Sequence, residues 1–190
     1  MSSSSYSMRI IGGKWRGRKV SFAQHEEIRP TPNRIRETLF NWLQGFVHGS
    51  RCLELYAGSG ILSLEALSRG AKSVTLIEQA SQVHQHLQTE LAKITDSSQL
   101  YQCINQPAIT WASNQSDGPF DIIFLDPPFA GSELDTVLPL IEVNSLLSPD
   151  GVIYIESPAE ILGETIPLQF EIYKQKKAGS VHYCLCRHRD

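Results

Sequence analysis

The sequence predicts an α/β fold, in which helices cover both faces of a mostly parallel sheet. Short apolar runs of strand length alternate with segments whose apolar residues recur at helical spacing. One run, at residues 51–56, leads into a glycine turn, and another, at residues 122–125, ends at Asp126 and two prolines. The last two runs have no helix between them and indicate an antiparallel hairpin. We therefore expect a seven-stranded, mostly parallel sheet with antiparallel C-terminal strands.

The predicted elements follow in a regular order. The serine-rich residues 2–7 are predicted to be a disordered start, and a small β-hairpin is predicted around Gly12 and Gly13. Thr31 is the candidate N-cap of a first helix with Pro32 in its first turn. Turns are predicted at residues 149–151 and 176–179. The sheet strands are predicted at residues 51–56, 73–77, 100–104, 122–125, 152–155, 170–173 and 181–186, and the later helices at 61–69, 81–94, 109–112 and 134–142. We divide the chain into an N-terminal extension, residues 1–28, and a main domain, residues 29–190.

The composition fits one folded domain. The chain has 190 residues and a formal net charge of −3, with no apolar run near membrane length and no signal peptide. Its four cysteines, Cys52, Cys103, Cys184 and Cys186, lack the spacing of zinc ligands. We expect reduced structural thiols, no metal ion and a cytoplasmic location.

The glycine turn predicts a nucleoside-binding site. Small residues where a strand passes into a helix let a ligand approach the backbone, and Glu78 ends the next strand about twenty residues later, where an acid can bind ribose hydroxyls. A dinucleotide is the weaker alternative, because Ser63 stands where its third glycine belongs and the Glu54 carboxylate would repel a pyrophosphate. Glu54 suits a cation such as the sulfonium of S-adenosylmethionine. The candidate cofactor residues of this turn and of the next strand end are Glu54, Tyr56, Ala57, Gly58, Ser59, Gly60, Glu78 and Gln79.

The second motif, Asp126-Pro127-Pro128-Phe129, predicts the chemistry. An exocyclic amine of a nucleobase is a poor nucleophile, because its lone pair is delocalised into the ring. The Asp126 carboxylate and the Pro127 carbonyl can accept its two N–H bonds, Pro128 helps to fix the loop, and Phe129 offers a ring on which a base can stack. The alternative is a Pro-Pro loop that only ends a strand.

The cations near the amino terminus indicate a nucleic-acid surface, although the chain as a whole is slightly acidic. Residues 1–25 contain five Lys or Arg and no Asp or Glu, and Trp15 could stack on a base. Arg34 and Arg36 flank the apolar face of the first helix, where one of them could reach a substrate phosphate or the cofactor carboxylate; the alternative is a structural helix with solvated arginines. For residues 1–25, the alternative is a solvated basic surface without a partner. The candidate RNA-binding residues are Arg9, Lys14, Trp15, Arg16, Arg18, Arg34 and Arg36.

The chain resembles the RsmD-type family of bacterial small-subunit ribosomal RNA guanine-N2 methyltransferases. The resemblance is carried by residues 8–18, 29–43 and 62–71, the glycine turn and the Asp-Pro-Pro-Phe loop, in that order. It implies a Rossmann-like class I methyltransferase that uses S-adenosylmethionine and releases S-adenosylhomocysteine. It implies as substrate a guanine N2 of 16S ribosomal RNA in a 30S assembly particle, with residues 1–28 as the RNA-binding extension and residues 29–190 as the catalytic domain. We expect a monomer that does not bind membranes.

The sequence departs from the family pattern at the adenine end of the cofactor site. Ala80 stands two residues after Glu78 where the family usually has Asp or Asn, and Pro107 precedes Ala108 where the family has Asn or Asp. The candidate adenine contact is then Asn105 or Gln106, and the alternative is that only backbone groups contact the adenine. Two alternatives stay open: an amine methyltransferase with another target, such as adenine N6 or a glutamine side chain, and a binding protein that has lost catalysis.

Overall fold

The computed structural model describes residues 6–23, 30–95, 97, 99–114, 117–128, 133–161 and 163–189. Residues 1–5, where most of the disordered start was predicted, and Phe129 lie outside the described residues. The strands are β1 (Tyr6–Arg9), β2 (Lys19–Phe22), β3 (Arg51–Glu54), β4 (Ser73–Glu78), β5 (Tyr101–Asn105), β6 (Phe120–Leu125), β7 (Leu147–Ser157), β8 (Phe170–Ala178) and β9 (Val181–His188). The α-helices are α1 (Asn33–Trp42), α2 (Ile61–Ser68), α3 (Ser81–Ile94), α4 (Ala108–Asn114) and α5 (Glu133–Val143).

Seven strands form one sheet in the order β5-β4-β3-β6-β7-β9-β8. Strands β3 to β7 are parallel, and β9 pairs antiparallel with both β7 and β8. The chain leaves β3 toward β4 on one side and returns to β6 on the other, so the order of the strands reverses between β3 and β6. A crevice opens at such a switch point, outside the carboxyl ends of the strands. The predicted fold class is confirmed.

Side chains on the two faces of the sheet form two hydrophobic cores. Helices α1, α2 and α3 pack on one face, against residues such as Cys52, Phe124 and Tyr154. Helices α4 and α5 pack on the other face, against Leu53 and Ile123. The central strands are apolar at consecutive positions because both of their faces are covered, as in other parallel sheets. Among the described residues, no helix combines the length and the apolar character needed to cross a membrane.

The N-terminal hairpin, β1 and β2, is fixed to the main domain by backbone contacts. The amide of Ile11 donates to Glu65 Oε1 at 2.6 Å, and that of Trp15 donates to Ser68 Oγ at 2.9 Å. Gly13 has a φ of +74°, and a Cβ on it would stand 1.8 Å from the carbonyl oxygen of Ser68, so only glycine fits there. Tyr6, predicted to be disordered, lies in β1, where its ring stacks on that of Phe22.

Several predicted element boundaries are wrong. The predicted turn at residues 149–151 lies within β7, where the pairing of β6 with β7 shifts register. The terminal hairpin is longer than predicted, because Lys176, Lys177 and Ala178 still pair with β9 and leave a short turn at Gly179. Thr31 is not the N-cap of α1, and Pro32 is not in its first turn, because the helix begins at Asn33 with Pro32 as the N-cap residue. The Thr31 carbonyl instead accepts a hydrogen bond from Arg36 Nε.

Candidate active site

A cavity of about 560 Å³ opens at the carboxyl ends of the parallel strands. The glycine turn after β3 and the Asp-Pro-Pro segment after β6 both line it, because neighbouring parallel strands end at the same edge of the sheet. The wall consists of Pro30, Thr31, Pro32, Glu54, Leu55, Tyr56, Ala57, Gly58, Ser59, Ile61, Ile77, Glu78, Gln79, Ala80, Val83, Pro107, Ala108, Ile109, Asp126, Pro127, Pro128, Glu133, Glu156, Ser180 and Val181. The structure thus brings together the two motifs that the sequence indicated.

The two glycines of the turn serve different purposes. Gly58 has a φ of +49°, and no heavy atom lies within 4 Å of the position that a Cβ would occupy, so the backbone borders open space. Gly60 has a φ of +65°, and a Cβ there would stand 2.5 Å from Leu87 Cδ1. Gly60 does not line the cavity. It permits close packing of the turn against α3, whereas Gly58 leaves room for a ligand beside the backbone.

Two carboxylates hold the turn in place and face the cavity. Glu54 is 5% exposed, and its Oε2 accepts the Ser63 amide at 3.1 Å. Burial raises the pKa of Glu54 to about 8, against hydrogen bonds from Ser63 that lower it. Glu78 accepts the Gly58 amide at 2.9 Å and the Ala80 amide at 2.8 Å. Each carboxylate oxygen has a second lone pair, so Glu78 can still accept hydroxyl groups.

The predicted adenine end of the cavity is lined by other side chains than the sequence indicated. Asn105 Nδ2 donates to the carbonyls of Glu78 and Gln79 at 2.8 and 2.9 Å, and its Oδ1 accepts the Ser81 hydroxyl. Neither Asn105 nor Gln106 lines the cavity. The hydrogen bonds of the Asn105 side chain therefore link β5 to the end of β4 and the start of α3. Its predicted contact with adenine is wrong in this structure.

Apolar residues line this part of the cavity instead. Ala80 and Val83, at the start of α3, face it together with Pro107 and Ile109, around the start of α4. Such a wall can pack against the faces of an adenine ring and leaves its polar edge to backbone groups. Val83 and Ile109 were missed because an apolar residue in the first turn of a helix gives the same signal whether it contacts the core or a ligand.

Asp126 follows β6 directly and has an acidic neighbour on the next strand. Leu125 pairs with Ile155, which places Asp126 and Glu156 side by side at the ends of β6 and β7. Glu156 is 3% exposed and accepts the Tyr154 hydroxyl at 2.7 Å, and the Thr31 hydroxyl also hydrogen-bonds to it. Burial raises the pKa of Asp126 well above its usual value, and the charges of Glu156 and Glu54 raise it further.

The cavity has two further walls, in which sequence analysis predicted Tyr56 but not Thr31, Pro32, Val181 or Glu133. Thr31 and Pro32, before α1, form one wall with Val181 from the β8–β9 hairpin. Tyr56 donates its hydroxyl to Glu133 Oε2 at 2.6 Å and so joins the glycine turn to the start of α5. Glu156 could have been found from sequence as the acid that ends a strand, the signal that drew attention to Glu78.

The predicted RNA-binding residues differ in burial and in the contacts that their side chains already make within the chain. Arg36 is fully buried and ion-paired with Glu65 at 2.7 Å, so its predicted contact with RNA is wrong. The Arg18 guanidinium donates to the carbonyls of Lys93 and Ile94 at the end of α3. Arg9 donates to the Gly17 carbonyl within the hairpin, and the Lys14 ammonium lies 4.4 Å from the centre of the Trp15 ring. Arg16 and Arg34 are exposed.

The residues of the cavity fit S-adenosylmethionine. The backbone at Gly58 borders open space, Glu54 can stabilise a neighbouring cation, and Glu78 can accept ribose hydroxyls. The described residues contain no group of three or more His, Cys, Asp or Glu side chains that could hold a metal ion.

Comparison with known proteins places this arrangement in one family. A family model described as conserved hypothetical protein 95 matches residues 8–187. The ribosomal RNA small subunit methyltransferase D of Escherichia coli is 41% identical over 96% of this chain and 91% of its own length, and that of Haemophilus influenzae is 40% identical over 94% and 92%. The solved Escherichia coli protein yhhF superposes with a TM-score of 0.86 at 39% identity, covering 96% of this chain and 98% of its own. The chain belongs to the ribosomal RNA small subunit methyltransferase D family.

Proposed function

We propose that this protein transfers a methyl group from S-adenosylmethionine to the exocyclic N2 of a guanine in 16S ribosomal RNA, within an assembling 30S particle. The observation that carries the proposal is the meeting of two motifs in one cavity. Glu54, Gly58 and Glu78 form one side, and Asp126 and Pro127 form the side adjacent to it. A cofactor held by the first set lies beside an amine held by the second.

The first set of residues binds and orients the cofactor. Bound S-adenosylmethionine supplies an electrophilic methyl group on a sulfonium, which is already a good leaving group. The ionised form of Glu54 favours the positive charge of the ligand in a site of low dielectric constant, and the bound cation in turn lowers the pKa of Glu54 from its raised value of about 8 in the free protein. The Glu78 carboxylate accepts ribose hydroxyls while it holds the Gly58 amide at 2.9 Å. Ala80, Val83 and Ile109 complete the site around the adenine.

The second set of residues holds the target amine. The Asp126 carboxylate accepts a hydrogen bond from one N–H group of the amine, and the Pro127 carbonyl accepts a hydrogen bond from the other. This arrangement favours a pyramidal nitrogen with an available lone pair. Pro127 and Pro128 restrict the backbone, so both acceptors are in place before the substrate arrives. A negative carboxylate is a stronger acceptor than a neutral carboxylic acid. The raised pKa of Asp126 therefore predicts that activity increases with pH as this group loses its proton.

The shape of the cavity constrains the substrate. Thr31, Pro32 and Val181 form walls around the approach to Asp126. A base that is stacked in an RNA helix cannot reach this position, so the target is a loop nucleotide or a nucleotide extruded from its stack. Phe129, which lies outside the described residues, remains the predicted stacking partner.

The relatives support ribosomal RNA as the substrate. The curated relatives with 40 and 41% identity carry the name ribosomal RNA small subunit methyltransferase. A Thermus thermophilus 16S rRNA N2 G1207 methyltransferase, solved with AdoMet and guanosine, shares the fold with a TM-score of 0.66 at 20% identity, over 97% of this chain and 50% of its own. That likeness concerns the fold alone, and the choice of N2 as the target is our proposal.

Mass analysis of nucleosides tests the proposal. The 16S RNA of cells that lack this protein is compared with that of cells that carry the parent or an Asp126→Ala copy. We expect the parent copy alone to restore N2-methylguanosine at one position. Restoration of N6-methyladenosine would instead indicate the other amine target. Identical nucleosides in all three strains would contradict ribosomal RNA methylation.

A further inference from the structure

The basic residues of this chain are concentrated in two acid-free segments. Residues 6–23, which contain the N-terminal hairpin, hold five Lys or Arg, and residues 172–189, which contain most of the β8–β9 hairpin, hold another five. Neither segment contains Asp or Glu, although the chain has 20 acidic residues and a net charge of −3. Val181 of the second segment lines the cavity, but the basic residues of this segment have no role in the proposed function.

Strand register places the tip of the β8–β9 hairpin at the active edge of the sheet. Tyr183 of β9 pairs with Glu156 of β7 on one side and with Lys176 of β8 on the other. Lys177 lies next along β8 toward the turn, and Ser180 and Val181 after the turn line the active-site cavity. The tip therefore stands beside the carboxyl ends of β6 and β7.

The spacing of strands gives the distance from this tip to the end of β6, which Asp126 follows. Lys176 lies three strands from the end of β6, across β9 and β7, which corresponds to about 14 Å between backbones at roughly 4.8 Å per strand. Both Lys176 and Lys177 are exposed. Within the part of the chain that the structure describes, neither lysine forms an ion pair with a carboxylate.

The two basic segments lie toward opposite ends of the sheet. The N-terminal hairpin packs against α2 and α3, which cover β3, β4 and β5, whereas the β8–β9 hairpin forms the other edge. Residues 12–18 of the first hairpin contact the carboxyl-terminal ends of α2 and α3, at Ser68, Lys93 and Ile94, away from the cavity. The cations at the tip of the β8–β9 hairpin instead stand beside the cavity, where polyanionic RNA whose target base enters the cavity would pass them.

We propose that the tip of the β8–β9 hairpin, residues 174–181, binds backbone phosphates next to the target nucleotide, through Lys176 and Lys177. This proposal rests on the proposed function and adds a second RNA contact to it. The competing explanation is that lysines on the edge strand β8 only prevent pairing with other chains, a common protection of exposed edges.

A charge-matched pair of double variants tests the proposal. Lys176→Gln/Lys177→Gln removes two cations from the active edge. Lys72→Gln/Arg189→Gln removes two exposed cations from the opposite edge, because Lys72 precedes β4 and Arg189 follows β9. Both are compared with the parent in binding and methylation of 30S subunits from cells that lack this protein, across a series of salt concentrations.

We expect only the active-edge variant to bind subunits less tightly. Its slope of log affinity against log salt should flatten by up to about two units, roughly one for each phosphate that the variant no longer neutralises. Its KM for subunits should rise while kcat and the affinity for S-adenosylmethionine stay at the parent values. Lys176→Arg/Lys177→Arg should restore the slope.

Two results would overturn the proposal. One is a slope like that of the parent, with or without increased self-association in light scattering, which would leave the lysines as edge protection. The other is an equal loss in both double variants, which would indicate a general charge effect. Binding and methylation are measured separately, so failure of the proposed activity is recognised by a parent that binds subunits without methylating them.

Discussion

The buried ion pair between Arg36 and Glu65 provides the sharpest test of how the N-terminal hairpin is attached. Both side chains are fully buried, and Glu65 Oε1 accepts from Arg36 Nη1 at 2.7 Å and from the Ile11 amide at 2.6 Å. Glu65→Ala would leave the guanidinium buried without its counter-charge and the amide without its acceptor. We expect a large loss of stability and loosening of the hairpin.

The magnitude follows from the cost of isolating a buried charge. Removal of one partner of a buried pair costs about 3 to 5 kcal/mol. Loss of the hydrogen bond from the Ile11 amide would by itself cost about 1 to 3 kcal/mol. The two costs are not simply added, because the Ile11 amide and Arg36 Nη1 donate to the same oxygen, Glu65 Oε1. We therefore expect a loss of about 4 kcal/mol. For a chain of this size, that corresponds to a fall in Tm of roughly 8 to 16 °C.

The assay is urea and thermal unfolding, with hydrogen exchange of the Ile11 amide as a local readout. Asp135→Ala removes an exposed carboxylate from α5, on the other face of the sheet, and is the control for the loss of a helical carboxylate. Glu65→Leu combined with Arg36→Met removes both charges and should recover part of the loss, because no charge remains buried without a partner. A loss below about 1 kcal/mol in Glu65→Ala would refute the reasoning.

Three further predictions concern the cofactor, the RNA and pH. Gly58→Val should abolish binding of S-adenosylmethionine in calorimetry while the fold persists, with Gly45→Val, also at positive φ in open space, as the control for backbone strain; binding like that of the parent would contradict the nucleoside turn. Lys14→Gln with Arg16→Gln should flatten the salt dependence of subunit binding by up to about two units, and an unchanged slope would leave the hairpin cations as a solvated surface. The pKa of Glu54, about 8 in the folded protein against 4.5 as its ordinary value, means that the folded state binds the extra proton. The free energy of unfolding should therefore fall as pH rises between these values, and less steeply in Glu54→Gln; parallel curves from urea titrations would contradict this.

Sequence analysis was most accurate for elements whose boundaries are marked by neighbouring residues. The unit of β3, glycine turn, α2 and β4 was placed within two residues, because its glycines and apolar runs mark each boundary. Asp126 lies beside the glycine turn because neighbouring parallel strands end at the same edge of the sheet. Those inferences need only neighbouring residues and a general property of the fold.

Inferences that depend on distant partners failed. Arg36 gives the same signal as exposed Arg34 in sequence, and its burial depends on Glu65, 29 residues away on another helix. Asn105 has the polarity of an adenine contact, yet its amide is occupied by the carbonyls of Glu78 and Gln79. The pairing with β9 that extends β8 past Lys176 also depends on a second strand rather than on local turn signals.

Methyl transfer by the parent and by Asp126→Ala to 30S subunits from cells lacking the protein tests the central claim most directly. Asp126→Ala should bind S-adenosylmethionine nearly as the parent does, because the carboxylate holds the amine and not the cofactor. Its turnover should be lower by on the order of a hundredfold or more, the usual effect of removing a group that acts on the transition state. The parent should place the labelled methyl on a guanine N2 of 16S RNA. Turnover of Asp126→Ala within a few-fold of the parent would contradict the assignment of Asp126.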